Sequence, residues 1–600
     1  MKKILLSITF ALMGIASGFA AKAHTALTTI TQSDGSQLTI RLHGDEHFSW
    51  YSTADDVFLV QVGNNYYVAQ VEEDGTLKAT PQLAHNAGER GTVEEQVINN
   101  QNKEKFLNSL NAEPQALAKP IGTVTPAYFP HTGSPKALVI LVEFQDVKFK
   151  TSDPVATFTH YLKGADGEEA PEANNAYVTK GMVNYGSVSQ YFKDMSQGQF
   201  KPQFDIVGPV TVSKNSAYYG GNTGRTDANF AKMIAEACKG VSDKVNFADY
   251  DLNNDGYVDL VYVIYAGYSE SINGNSSDCL WPKSGTNAFY EPGTNNLLKL
   301  NGKRICRYGI NNELNGTPKN WIEGKPLLNG IGLFCHEFSH TMGLPDLYPT
   351  VETSRVDNQN PEYWDLMDGG EYTYSGYFPT PYSPWEMEVM GWTTPVELGD
   401  EAKQVNLNSY ASDRTTYKIN GKNDEYLLIQ NIQTDGWWRG ITKAYNTGML
   451  VWRIDYPYTT VSLDNRLNNE IGKPNVMIVP ADGYVISAYN VTDDDESKAK
   501  YKASLKADPF PGANNVPELL SVKLNKSTLK KPFYNIKETN GVITFDYLKD
   551  YATGIDQTLA DKDTEKNQSI FSLDGRYLGN DASKLTKGIY IIGKKKVVIK

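Results

Sequence analysis

The chain opens with Met1, Lys2 and Lys3, then an apolar run at 4–16 followed by small residues. This basic, apolar, small order predicts a secretory signal peptide over 1–23, cleaved after Ala20 or Ala23. The run falls short of the ~20 apolar residues that span a bilayer, and no later stretch is long and apolar enough to do so. From 24 to 125 short alternating runs, clearest at 38–42, 57–62 and 66–71, are broken by Gly and by Asn or Asp, which predicts a β-rich module. Standing between a signal peptide and the long remainder of the chain, that module reads as a propeptide; the alternative is a permanent binding domain.

The texture then changes twice. The segment 137–144 is almost wholly apolar and suits a strand buried on both faces, as does 260–266. Val188, Tyr191, Phe192 and Met195 recur at helical spacing, and so do Phe230, Met233, Ile234, Ala237, Cys238 and Val241. Strands and helices in alternation predict an α+β unit over 126–395. Beyond it, short apolar runs at 426–430, 449–454, 475–479 and 542–547 predict a β-sandwich-like domain over 396–548. A polar linker and a small strand ribbon complete the chain over 549–600.

Composition narrows the function. The 600 residues carry a net charge of -13, which argues against a nucleic-acid partner, since phosphate binding needs clustered Lys and Arg. Four cysteines are too few for a disulfide-stapled scaffold. Cys279 and Cys306 lie in loop-like surroundings and are a candidate bridge, whereas Cys238 and Cys335 read as buried thiols. Only eight histidines are present, and none follows His340.

Two of them carry the chemistry. His336 and His340 are four residues apart in Cys335-His336-Glu337-Phe338-Ser339-His340, so on a helix both imidazoles share one face and can grip a single ion. Zinc held by three protein ligands lowers the pKa of water at its open position to about 7. Glu337, beside the first ligand, is placed to take that water's proton and pass it to a leaving amine. Gly343 can leave the helix in a left-handed conformation and turn the chain so that Asp346 reaches the metal. With no imidazole downstream, Asp346 is the expected third ligand. Chance would produce the His-Glu-x-x-His pattern on the order of 0.01 times in such a chain, so two surface histidines on an amphipathic helix are the weaker reading.

Downstream, Asp365-Leu366-Met367-Asp368-Gly369 places a methionine in a glycine-rich turn. With the helix motif ending in Asp346, this resembles the immune inhibitor A family of secreted zinc metallopeptidases, within the metzincin group. Gly186-Ser187-Val188 through Tyr191-Phe192, Ser196-Gln197-Gly198-Gln199-Phe200, Gly391-Trp392 and Gly448 through Asp455 also look like family segments, and the likeness runs over roughly 130–550. The resemblance implies a metzincin-like α+β catalytic domain in which His336, His340 and Asp346 bind zinc, Glu337 is the general base and Met367 lies beneath the metal. Tyr372 and Tyr374 are candidate oxyanion donors or simply wall residues.

Other signals are weaker. Asp251, Asn253, Asp255, Tyr257 and Asp259 space oxygen ligands as in a truncated calcium loop with Gly256 at its turn, although Tyr262 replaces the final Glu of a full EF-hand loop. An Asx-rich turn without an ion is the alternative. No cysteine precedes Cys238, which excludes a cysteine switch in the proregion. His43-Gly44-Asp45-Glu46-His47 offers other groups able to cap a metal, or a solvated turn. The ribbon from Ile570 to Lys600 resembles type IX secretion sorting domains, with a plain stabilising hairpin as the alternative. The expected function is a secreted or cell-surface zinc endopeptidase made as a zymogen and acting on protein or peptide substrates. Its rivals are a non-catalytic surface adhesin with a structural metal site and a zinc amidase acting on cell-wall peptides.

Overall fold

Alternate residues of the strand Lys136–Glu143 enter two different cores, and this division organises the central body. Leu138, Ile140 and Val142 pack with Met233, Ile234 and Cys238 of the helix Phe230–Gly240. Val139 and Leu141 face the opposite way, toward Phe334, Cys335 and Phe338 of the helix Ile331–Met342. A strand sandwiched between helix layers needs apolar residues on both faces, which is why its sequence is continuous rather than alternating. Val261–Tyr265 is divided in the same way.

The computed structural model describes residues 17–19, 23, 27–45, 48–110, 128–164, 184–222, 227–272, 274–320, 325–456, 467–492, 494–551, 569–573, 575–579, 584–592 and 595–599. The central sheet runs Ser17–Phe19, Lys283–Thr286, Arg307–Asn312, Val261–Tyr265, Lys136–Glu143, Gln203–Thr211. The last four strands are mutually parallel; Lys283–Thr286 is antiparallel to Arg307–Asn312, and Ser17–Phe19 pairs antiparallel with its far side. The apolar run at 4–16, expected to be the core of a signal peptide, lies outside the described residues. No helix among the described residues is long and apolar enough to cross a membrane.

The chain is mixed α+β with β-rich regions on either side of the central body. On the N-terminal side, six strands from Thr28–Thr31 to Leu77–Leu83 form an antiparallel meander in chain order. Two short helices, Thr92–Asn99 and Lys103–Leu110, follow, and Phe106 of the second fills an aromatic pocket with Trp50 and Phe58. On the C-terminal side, a sheet of Tyr417–Asn420, Tyr426–Ile432, Gly448–Ile454 and Val476–Ile478 with Val396–Glu397 at its edge packs on a three-stranded sheet. Here too the residues alternate: Leu427, Ile429, Met449 and Val451 line the sandwich interior, while Leu428, Leu450, Trp452 and Ile454 join the catalytic core. Residues 550–600 form a separate unit containing a four-stranded antiparallel sheet.

One expectation is corrected. Cys279 and Cys306 are not bridged; all four cysteines are free. Cys306 accepts a hydrogen bond from Asn287 just past one end of the paired strands, whereas Cys279 precedes Lys283 at the other and packs against Gly220. The four positions from 283 to 287 span about 13 Å of strand, well beyond the ~7 Å that a disulfide tolerates between Cα atoms.

Candidate metal centre and active site

The helix Ile331–Met342 carries His336 and His340 on one face, and its C-cap Gly343 has φ 111°, in the left-handed region. The Gly343 and Leu344 amides donate back to the His340 and Ser339 carbonyls, closing the helix end. The turn brings Asp346 back to the two imidazoles. His336 Nε2 and His340 Nε2 are 3.1 Å apart, and each lies 3.2 Å from Asp346 Oδ1. Among the described residues, these three form the one group of His, Cys, Asp or Glu whose ligand atoms converge for a metal ion.

The triangle fits zinc. Ligands at ~2.0–2.1 Å in a tetrahedral shell stand about 3.3 Å from one another, close to the separations seen here. The ring nitrogens are also correctly assigned, because His336 Nδ1 lies 3.1 Å from the Leu366 carbonyl and His340 Nδ1 2.7 Å from that of Leu344. A carbonyl only accepts, so each Nδ1 carries its proton and each Nε2 keeps a lone pair for the ion. Burial disfavours the charged forms of His336 and Asp346, yet Glu371 and Asp346 hold the His336 pKa above its ordinary value, and the two imidazoles hold that of Asp346 below.

Glu337 is wholly buried beside the first ligand and is close enough to be felt electrostatically by Tyr262 and Tyr372. The methionine turn is tied directly to the ligand loop: Leu347 N donates to the Met367 carbonyl at 2.8 Å, and Met367 N to Asp365 Oδ1 at 2.7 Å. Below the turn, Asp365 and Glu386 form a buried carboxyl pair. Burial and then the neighbouring Asp365 push the Glu386 pKa well up, so Glu386 holds the shared proton. Of the two candidate tyrosines, Tyr372 hydrogen-bonds Ser271 near the site, whereas Tyr374 is exposed.

The secondary candidates fare differently. In the 251–259 loop, Asp251 accepts hydrogen bonds from the amides of Asp255 and Gly256 and is ion-paired with Lys303. Asn253 Oδ1 and Asp255 Oδ1 accept from the amides of Asp255 and Tyr257, and Asp259 Oδ2 from that of Leu252. The oxygens are thus engaged by backbone and by an ammonium that had no place in the sequence pattern. Asp45 does not join the metal group and lies within electrostatic reach of Arg355; Glu46 and His47 lie outside the described residues.

Sequence reasoning missed two features. Glu371 is buried with Oε2 3.8 Å from His336 Nδ1. The N-terminal module also touches both the 128–392 body and the β-rich region that follows it. Ser49 donates to Glu270, Tyr51 to the Asn275 carbonyl, and Gln61 accepts from Ser277 N. Elsewhere Arg41 donates to the carbonyls of Tyr489 and Val491, and His43 lies 3.7 Å from Glu352. No spacing rule along the chain points to either.

Residues 128–392 match the family profile of the immune inhibitor A peptidase M6 catalytic domain. This segment is similar to the catalytic domain of M6 peptidases. M6 enzymes are metallopeptidases, a class of peptide hydrolase. The chain is 24% identical over 281 residues to the pre-pro-metalloprotease PrtV of Vibrio cholerae serotype O1 (strain M66-2), covering 42% of this chain and 29% of that protein. It is 24% identical over 323 residues to immune inhibitor A of Bacillus thuringiensis subsp. alesti, covering 47% of this chain and 44% of that protein. The chain therefore spans less than half the length of either relative.

Proposed function

We propose that this chain is the latent precursor of a secreted zinc endopeptidase, with residues 24–125 as a propeptide over the M6 domain. The close triangle of His336, His340 and Asp346, with Glu337 on the same helix, carries this reading. Zinc bound there supplies a Lewis acid that polarises a carbonyl and acidifies water near neutral pH. Glu337 takes a proton from the attacking water and delivers it to the leaving amine as the peptide bond breaks. An extended substrate lies along the edge strand Lys283–Thr286, against which the ligand helix packs. The antiparallel pairing of Ser17–Phe19 with that strand supports such a pose, since an exposed sheet edge recruits peptides in this way.

Latency is supported by burial. His336, Glu337, His340 and Asp346 are all closed to solvent in the full chain, and the N-terminal module is attached to the 128–392 body at Glu270 and to the following β-rich region at Tyr489. A peptide bond gains entry once that module moves or is removed. A calcium ion at 251–259 would share Asp251 with Lys303, which pairs with its Oδ2. The four-stranded unit over 569–599 serves, in this reading, as a secretion sorting domain.

The test is casein cleavage by full-length chain, by chain lacking 24–125, and by the latter carrying Glu337→Ala or treated with a chelator. The shortened wild type is expected to cleave, and the other three to be far slower. A shortened wild type no more active than Glu337→Ala would sink the endopeptidase reading in favour of a surface adhesin. Release of peptidoglycan fragments without casein cleavage would favour an amidase.

A further inference from the structure

The two histidine ligands are supported in different ways. His340 Nδ1 donates to Leu344, a neutral carbonyl in the turn that ends its own helix. His336 Nδ1 meets two groups from the distant segment around the methionine turn, the Leu366 carbonyl at 3.1 Å and the Glu371 carboxylate at 3.8 Å. The backbone of Glu371 is locked onto the ligand helix. A Cβ added at Gly332 would stand 2.1 Å from the Glu371 carbonyl oxygen, so only glycine lets this segment approach so closely. Gly332 and His336 are one helical turn apart on the same face, so a chain resting on the first reaches the second. At Gly370, a Cβ would stand 2.2 Å from the Asp365 carbonyl oxygen, which fixes the preceding residue as tightly.

We propose that Glu371 is a positioning residue for the metal: its buried carboxylate, with the Leu366 carbonyl, orients the His336 ring and strengthens Nε2 as a ligand. The inference rests on the zinc reading of the site. At 3.8 Å the carboxylate takes no hydrogen bond from Nδ1, whose proton goes to the Leu366 carbonyl and fixes the tautomer; its charge acts through space on the ring and makes the opposite nitrogen more basic. It also supplies charge. Asp346 in the ligand shell and Glu371 behind His336 both place negative charge near a divalent ion in this buried site.

The experiment measures zinc affinity of the metal-free full-length chain by competition with a fluorescent chelator. Wild type, Glu371→Gln and Glu371→Asp are compared, with circular dichroism and apo thermal melting as controls. Glu371→Gln keeps the size and removes the charge; it is expected to bind zinc about 10–100-fold more weakly, with an apo melting point near wild type. Glu371→Asp keeps the charge and is expected to recover part of the loss. A Glu371→Gln affinity within twofold of wild type would overturn the proposal. So would failure of both variants to fold, which would make Glu371 a determinant of the fold instead. A wild-type chain that binds no zinc would refute the metal reading itself.

Discussion

Replacing Asp346 with Asn tests whether the third ligand is a carboxylate delivered by the Gly343 turn. The substitution preserves shape but removes the charge that faces both imidazoles at 3.2 Å. Four-ligand zinc sites bind with roughly 10–16 kcal/mol near neutral pH, so one protein ligand of three, with water as the fourth, carries about 3 kcal/mol. That corresponds to about a hundredfold in zinc affinity. In the metal-free chain the same substitution removes one of the two attractions that raise the His336 pKa, leaving Glu371, the larger, against burial and the neighbouring His340. The two shifts have opposite signs. The raised His336 pKa stabilises the apo fold below its ordinary value of 6.5, and this is lost as pH rises through the folded value. The lowered Asp346 pKa stabilises it above 3.8, and this is lost as pH falls. The benefit of Asp346 to the apo chain is therefore greatest between these limits, while zinc affinity grows as His336 deprotonates. Chelator competition at pH 7 gives the affinity, and thermal melting of the apo forms from pH 4 to 8 gives the linkage. Zinc affinity of Asp346→Asn within threefold of wild type would refute the ligand assignment.

Two further outcomes are expected. Glu386→Gln should keep the capping bonds from Ser383 and donate an amide hydrogen to Asp365 in place of the shared proton. Because the raised Glu386 pKa costs the wild type stability as pH climbs above the ordinary 4.5, the variant's melting point should gain on wild type from pH 5 to pH 8; parallel curves would rule the shared proton out. Gly343→Ala forces an L side chain to φ 111° and should lower stability by about 1–3 kcal/mol, read from urea unfolding of the apo chain. An unchanged urea midpoint would mean that the turn is not held there by strain-free glycine.

The parts of the site legible in the sequence are those written in local geometry. Helical spacing puts His336 and His340 on one face, a glycine releases the chain after them, and the absence of later histidines leaves Asp346 to complete the group. The continuous apolar run at 137–144 likewise announces a strand covered on both sides, because each residue's direction along a strand is set by its neighbours. Glu371, the Asp365–Glu386 pair, the Lys303 ammonium on Asp251 and the separation of Cys279 from Cys306 had no such signature. Each depends on which segments the sheet order brings together: Lys303 reaches Asp251 across 52 positions, and Leu366 reaches His336 across 30. Local pattern was enough to bring His336, His340 and Asp346 into one group and to give the α+β body, since backbone periodicity encodes direction within one element. It could not show what stands behind His336, where the N-terminal module attaches or which oxygens are already engaged, because burial and long-range electrostatics arise only when distant elements pack.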